Sequence, residues 1–377
     1  MVAGPYLRRH LEGHKQVTAA VEAVRHSHAD AVAPAFSKGL LLTGTAPGEP
    51  GVGGVILKDL IRHTGVDHWH CCWLASKHGP QETYWKELPT TVQRRQYETG
   101  YRPVRGIAGE VVSAVALKVL RAPMIAAACQ SLQKLTQEVR PDFVLTVLES
   151  PAAIETAWQL QRSLKIPLRC IVWDDVDLFC RQSHFDRWTR SRIEKAFAEV
   201  LKNSERTAVI CENMQTEYRR RYGIESFVLR HGVVPRTDAA LSDEDTPSEV
   251  YRIGFAGSVT APDCMRSLIE GLDSVGWRIN SREVVLRLLG ARYLLDSRKP
   301  QRIEYFGWRS VEETCSRLSE CDLLYLPQSF TQENRTFSEL SFPTKLSTYV
   351  TARRPILLHA PDYASLSGFW KHYAMGP

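Results

Sequence analysis

The sequence predicts an α/β protein built from two doubly wound, parallel-sheet domains joined by one linker. Three observations predict it. Short β-branched or leucine-rich runs alternate with longer amphipathic stretches along most of the chain, the pattern of βαβ units. The alternation stops over the acidic, polar stretch 235–249 (PRTDAALSDEDTPSE) and then resumes, which marks an exposed linker. The length of 377 residues suits two domains of about 100–200 residues each.

Residues 1–37 are rich in Ala, His and Arg and read as an extension. In the first domain, 38–236, strands are expected at Leu40–Gly44, Trp69–Leu74, Asp142–Leu148, Leu168–Trp173, Thr207–Cys211 and Ser226–Leu229. Helices are expected at Gly53–Arg62, Gln81–Tyr97, Val111–Val139, Ala152–Leu164, Arg187–Lys202 and Met214–Tyr222. Lys165-Ile166-Pro167 closes one helix ahead of a strand, and Tyr222-Gly223 sets a glycine just past the end of another. After the linker, 237–249, the second domain (250–377) carries strands at Tyr251–Ala256, Val284–Leu289, Ile303–Phe306, Asp322–Leu326 and Pro355–His359. Its helices fall near Cys264–Val275, Val311–Ser319, Thr344–Ala352 and Ala364–Tyr373. The chain stops at Met375-Gly376-Pro377, directly after a strand–helix unit, so this domain is expected to be incomplete.

A composition of 44% hydrophobic and 24% charged residues excludes wholesale disorder, collagen-like repeats and coiled-coil architecture. Forty-eight Lys and Arg against 42 Asp and Glu leave +6, compatible with anionic small ligands or a lipid surface but too weak for a nucleic-acid binder. Nine cysteines, an odd number with no C-x-x-C, suggest reduced thiols in a cytoplasmic protein. The N-terminus has no apolar signal-peptide segment. The longest apolar stretch, around Ala122–Leu132, is bracketed by Arg121 and Lys134, short of the ~20 residues that cross a bilayer. The protein is expected to be soluble or to sit at a membrane surface. The basic faces Arg187–Lys202 and Arg219–Arg221 could touch anionic lipid, although a solvated helix face is the simpler explanation.

Four segments could carry chemistry. The first strand runs into Thr43-Gly44-Thr45-Ala46-Pro47-Gly48 and then Gly51-Val52-Gly53-Gly54 at a helix start. Such glycines let backbone N–H groups approach an anion, and a turn with glycines for geometry alone stays open beside that reading. Neither G-x-G-x-x-G nor a P-loop is present. The Leu168–Trp173 strand ends in Asp174-Asp175-Val176-Asp177, at the edge where open α/β sheets bind ligands. One of Asp174 and Asp175 is expected in a site, binding sugar hydroxyls or a catalytic proton; helix capping is the alternative. No further acidic partner suggests a metal. Glu149-Ser150 shares this geometry with a weaker signal.

In the second domain, glycines close three strands: Gly254-Phe255-Ala256-Gly257-Ser258, Gly290 and Gly307-Trp308. Their recurrence on one edge points to a cleft. The sharpest segment is Phe337–Tyr349 (FSELSFPTKLSTY), with Phe342-Pro343-Thr344-Lys345-Leu346 at its centre, followed by Arg353-Arg354-Pro355. Pro343 suits a first helical position, leaving the Thr344 and Lys345 amides, with the lysine ammonium, aimed at a phosphate. A capped surface helix with a solvated lysine is the plainer alternative.

The chain resembles GT-B glycosyltransferases, most closely glycosyltransferase family 4, over about residues 39 to 374. The likeness rests on Gly51–Gly54, Pro141-Asp142-Phe143-Val144, Ile166-Pro167 before Trp173-Asp174-Asp175, and Arg230-His231-Gly232-Val233. In the second half it rests on Ile253-Gly254-Phe255-Ala256-Gly257, Cys321-Asp322-Leu323-Leu324-Tyr325-Leu326-Pro327, Phe342-Pro343-Thr344-Lys345-Leu346 and Arg354-Pro355-Ile356-Leu357. The resemblance implies two Rossmann-like domains facing a cleft and a metal-independent, retaining sugar transfer with no bound cofactor. The donor would be a nucleotide-sugar and the acceptor a glycan, a lipid-linked sugar or a small molecule, with no nucleic acid as partner. The setting would be cytoplasmic, with contact at the inner membrane face as a further option. Gly257, Ser258, Gly307, Pro343, Thr344, Lys345 and Leu346 would bind the donor, with Gly53 and Gly54 closing over it; Asp174, Asp175 and Glu339 are the candidate catalytic acids.

Three departures stand out. Many relatives carry an Arg and a Lys where this chain reads Ser258-Val259-Thr260-Ala261-Pro262-Asp263, and two glutamates where it has Leu340 and Thr348. Arg353 stands where glycine is usual. A non-catalytic relative used for binding or assembly, or a nucleotide-sugar epimerase, are the alternative readings; a nicotinamide dehydrogenase lacks its glycine fingerprint.

Overall fold

The structure, a computed structural model, describes residues 36–49, 51–75, 84–96, 106–182, 185–232, 249–290, 302–373 and 375. The first domain contains β1 (Lys38–Thr43), α1 (Val52–His63), β2 (His68–Ala75), β3 (Thr90–Gln96), α2 (Ile107–Val139), β4 (Phe143–Val147), α3 (Pro151–Leu160), β5 (Leu168–Val172), α4 (Val176–Gln182), α5 (Arg187–Lys202), β6 (Arg206–Val209), α6 (Glu212–Tyr222) and β7 (Phe227–Val228). Its strands lie in the order β3-β2-β1-β4-β5-β6-β7, all parallel. The order reverses between β1 and β4, which opens a crevice at their carboxyl ends.

The second domain follows with β8 (Val250–Gly257), α7 (Pro262–Ser274), β9 (Arg278–Ile279), β10 (Arg282–Gly290), β11 (Arg302–Gly307), α8 (Val311–Ser319), β12 (Leu323–Pro327), α9 (Arg335–Leu340), α10 (Lys345–Ala352), β13 (Ile356–His359) and α11 (Ser365–His372). The order β11-β10-β8-β12-β13 repeats the winding of the first sheet, and among the described residues only the short β9 pairs antiparallel, with β10. The two-domain doubly wound prediction is therefore met.

Each sheet is covered on both faces, so its strands read as nearly continuous apolar runs. Leu40 and Leu42 of β1 face one core of the first domain while Leu41 faces the other. In the second domain Ile253 and Phe255 face one core and Ala256 the other. Leu340 of α9 is buried in the core of the first domain, and Phe342 packs against the cores of both. All nine cysteines are buried free thiols.

Four expectations are corrected. No helix fills Gln81–Tyr97: residues 84–87 form a turn and Thr90–Gln96 is a strand parallel to β2, with the β-branched run Thr90-Thr91-Val92 favouring a sheet after Pro89. Residues 81–83 and 97 lie outside the described residues, as do residues 1–35 of the extension and most of the linker, 237–248. The short helices α4 and α9 went unforeseen, being too brief for a periodic signal. The apolar stretch Ala122–Leu132 is part of a 33-residue helix, α2, long and apolar enough by length and composition to cross a membrane. Finally, α10, the helix expected to begin with Pro343 at its first position, begins at Lys345, so Pro343 precedes it.

Candidate functional site

The site is assembled on the carboxyl edges of the two sheets. In the second domain Gly257 ends β8 and stands in register with Gly290, which ends β10. A Cβ on Gly290 would lie 2.8 Å from the Gly257 carbonyl oxygen, and both residues hold positive φ, 116° and 90°. No other residue type fits that close approach of two strand ends. Gly307 ends the next strand, β11, and Trp308 behind it is exposed.

Lys345 comes to this edge from the first turn of α10. Its Nζ donates to the Ser258 carbonyl at 3.1 Å and sits 4.1 Å from the Phe255 ring centroid. Burial lowers its ammonium to about 7, and no carboxylate offsets that burial among the described residues. A half-buried ammonium held by one carbonyl and a ring face, with no carboxylate beside it among the described residues, can receive an anion. The α10 hydrogen-bond ladder starts with the Leu346 N–H on the Pro343 carbonyl (3.1 Å), which leaves the Thr344 and Lys345 amides ahead of it. Leu346 turns its side chain into the core, so only its backbone can serve a ligand.

In the first domain the structure separates the two glycines. Gly54 carries a tight turn: the carbonyl oxygen of Glu49, at the start of that turn, would lie 2.1 Å from an added Cβ. Gly53 lies beside Thr45 and Trp173 at the carboxyl edge. The turn after β1 is held by Glu149. Its carboxylate accepts from the Thr43 hydroxyl (2.6 Å), the Gly44 N–H (2.9 Å), the Thr45 N–H (3.0 Å) and the Thr45 hydroxyl (2.8 Å). Burial raises the Glu149 carboxyl while those donors pull it down.

The two aspartates part company as well. Asp174 accepts a 2.5 Å hydrogen bond from Ser341, four residues before Lys345, so the segment after β5 of the first domain touches the stretch of the second that leads to Lys345. Asp175 is buried under structural contacts: it accepts from the Asp177 N–H at 3.0 Å at the start of α4, from Tyr218 at 3.2 Å and from Arg221 at 3.0 Å. That is the capping alternative. Glu339 is half-exposed on α9, 3.8 Å from Arg335.

Residues between the domains complete the arrangement. His231 lies 2.7 Å from an Asp59 carboxylate oxygen on α1 and 3.5 Å from the Ser347 hydroxyl on α10, which ties together the two helices that start at the cleft. The Arg230 guanidinium pairs with Glu212 and is stacked between Phe342 (4.7 Å) and Phe369 (4.9 Å). Asp59 gave no sequence signal, being one more acid on an amphipathic helix. Among the described residues no group of three or more His, Cys, Asp or Glu side chains is placed to hold a metal ion.

No protein-family model matches the chain, and no curated protein matches it in sequence. Solved structures do match in shape. Sucrose-phosphate synthase from Thermosynechococcus elongatus superposes with TM-score 0.51 at 13% identity, covering 90% of either chain. The E. coli trehalose-6-phosphate structure bound with UDP-2-fluoro glucose gives 0.56 at 8% identity, over 88% of this chain and 86% of that one. The trehalose 6-phosphate synthase of Burkholderia multivorans gives 0.54 at 12%, over 88% and 84%. The likeness establishes the GT-B arrangement of two Rossmann-like domains.

Proposed function

We propose that this protein transfers a sugar from a nucleotide-sugar donor to an acceptor hydroxyl. The observation that carries the reading is the half-buried Lys345 ammonium, held on the Ser258 carbonyl beside Gly257 at the carboxyl edge of the second sheet. A donor diphosphate placed there would gain one cation and the leading amides of α10, and the departing nucleoside diphosphate is the charge that such a transfer must stabilise. The neighbour of this fold bound with UDP-2-fluoro glucose supports a uridine nucleotide-sugar as the first donor to try.

The acceptor is proposed to approach from the first domain, where Gly53 and the turn held by Glu149 border the crevice. Transfer with retention and without a metal is part of the same proposal. Asp174, engaged by Ser341, serves in it as an acid that couples the domains, while Asp175 is left out of the chemistry.

Incubating the protein with UDP-glucose, UDP-galactose, UDP-N-acetylglucosamine and GDP-mannose, and reading thermal shift with nucleoside diphosphate release, tests the reading. Stabilisation by one donor, lost in Lys345→Ala, supports it. Failure of every donor to bind overturns it, and binding without release under any acceptor leaves a binding module on a transferase scaffold.

A further inference from the structure

Helix α2 has two unlike halves. From Arg121 onward it belongs to the first domain: Ile125, Ala128, Cys129, Leu132, Leu135 and Val139 are core residues, and Arg121 pairs with the buried Glu155 at 2.6 Å. Pro123, which removes one N–H from the helix ladder, stands near the junction. Between Ile107 and Leu120 six large apolar side chains are exposed. Ile107, Val111, Val115 and Val119 recur every fourth residue, and with Val112 and Leu120 they are 47 to 80% exposed. Single exposed valines are ordinary, whereas a continuous aliphatic row of this kind marks an interaction surface.

The topology says where that end points. β3 and β4 run parallel in one sheet, so the helix joining them starts at the carboxyl edge. At about 1.5 Å per residue the helix is roughly 50 Å long, whereas five-residue β4 spans about 17 Å. Its first half overhangs the carboxyl edge, the edge that bears the candidate site.

The rim of the row is cationic and aromatic. Lys118 is exposed within it. At the start of α5, Arg187 lies 3.8 Å from Glu110 and 4.3 Å from the Trp188 ring centroid, and Trp188 is itself exposed. We propose that α2 residues 107–120, with Trp188, Lys118 and Arg187, seat the protein on a bilayer surface that contains anionic lipid. The cations complement a negative headgroup layer, and an indole beside an aliphatic row suits the boundary between headgroups and acyl chains. The segment lies in the interface and does not span, because about 21 Å of apolar helix is shorter than the ~30 Å hydrocarbon layer and the rest of α2 is committed to the protein core. This docking does not depend on which reaction the protein catalyses.

Sedimentation of the full chain with phosphatidylcholine vesicles, and with vesicles of equal parts phosphatidylcholine and phosphatidylglycerol, tests it. The protein is expected to pellet with the anionic vesicles. The variant Val111→Asp/Val115→Asp/Val119→Asp should bind about tenfold more weakly or worse, and Lys118→Glu/Arg187→Glu should lose the preference for phosphatidylglycerol. Should the triple variant melt below the parent, Ile107→Asp carries the test, since that side chain is 80% exposed. The proposal is overturned if the parent stays in the supernatant, if the aspartates leave binding unchanged, or if sedimentation velocity shows a dimer that the aspartates dissolve, which would assign the row to a second copy of the chain.

Discussion

The Ser341 hydroxyl donates a 2.5 Å hydrogen bond to the Asp174 carboxylate, across the boundary between the two domains. Asp174 ends a strand unit of the first domain, and Ser341 leads into the turn that delivers Lys345. One of the two aspartates that the sequence offers for chemistry is thus also a positional reference for the turn that carries Lys345.

Burial raises the Asp174 carboxyl above its ordinary value near 3.8, against the pull of Ser341 and with help from the Asp175 charge. A carboxyl raised on folding contributes stability that is complete below its unfolded pKa and is lost as pH rises through the folded one. Asp174→Asn keeps an oxygen for Ser341 and never ionises. It should equal or exceed the parent in stability at pH 7, with the difference closing as pH falls towards about 4. Urea denaturation at both pH values reads this, and a less stable variant at pH 7 would contradict it.

Lys345 should report donor binding through protons. Its ammonium sits at about 7 in the free protein, and a bound diphosphate would raise it, so binding takes up a proton and affinity should fall as pH rises above about 7. Lys345→Ala should cost about 1.5–3 kcal/mol of donor affinity and abolish that pH dependence. Titration calorimetry with UDP-glucose in buffers of different ionisation enthalpy measures both effects. Equal affinity at pH 6.5 and 8.5 in the parent would remove the lysine from the site.

The same residue affects the empty protein. Because folding lowers Lys345 from its ordinary 10.5 to about 7, the unfolded chain holds more protons between those values, and stability should rise with pH across that window. Lys345→Met should flatten the rise, which thermal melts at pH 7.5 and 9.5 would detect.

Glu149 should behave as a positioning residue. Removing it in Glu149→Ala strips the acceptor from two hydroxyls and two N–H groups, a loss of about 2 kcal/mol or more when donors are left unmet. Glu149→Gln should cost less and keep donor binding. Equal damage from both variants would point to a role for the charge itself.

Gly54→Ala tests the turn from the other side. Its added Cβ would lie 2.1 Å from the Glu49 carbonyl, so the helix start must shift at a cost of about 1–3 kcal/mol. Gly51→Ala, with open space at its Cβ but a φ of 129°, isolates backbone strain from collision. A melt of Gly54→Ala unchanged from the parent would show that the turn can yield.

Much of the fold was legible because both sheets are buried on two faces, and strands such as Leu40-Leu41-Leu42 and Val284-Val285-Leu286 announce themselves by continuous apolar runs. The placing of Lys345 and the strand-end glycines on one sheet edge was legible for a related reason: each belongs to a local turn and the residues beside it. The segment around Thr90 was misread because charged and aromatic residues at helical spacing outweighed a short β-branched run. What composition could not show was the partnership of distant residues. Asp175 looked like a ligand until Tyr218 and Arg221 supplied its partners, and Asp59 looked like any surface acid until His231 reached it. The exposed half of α2 was hidden by Arg121 and Lys118, which break the apolar run on paper while one turns inward and the other sits in the row.

The burial of Leu340 among side chains of the other lobe restricts how the molecule can breathe. Pulling the lobes apart at that point would return a leucine to water, about 2 kcal/mol by transfer area, and would break the Cys211 thiol's 3.2 Å contact with the same residue's carbonyl. The two lobes are therefore pinned at that point, and any opening that keeps this contact must hinge about it, with the carboxyl edges free to part more widely than Leu340 and Cys211.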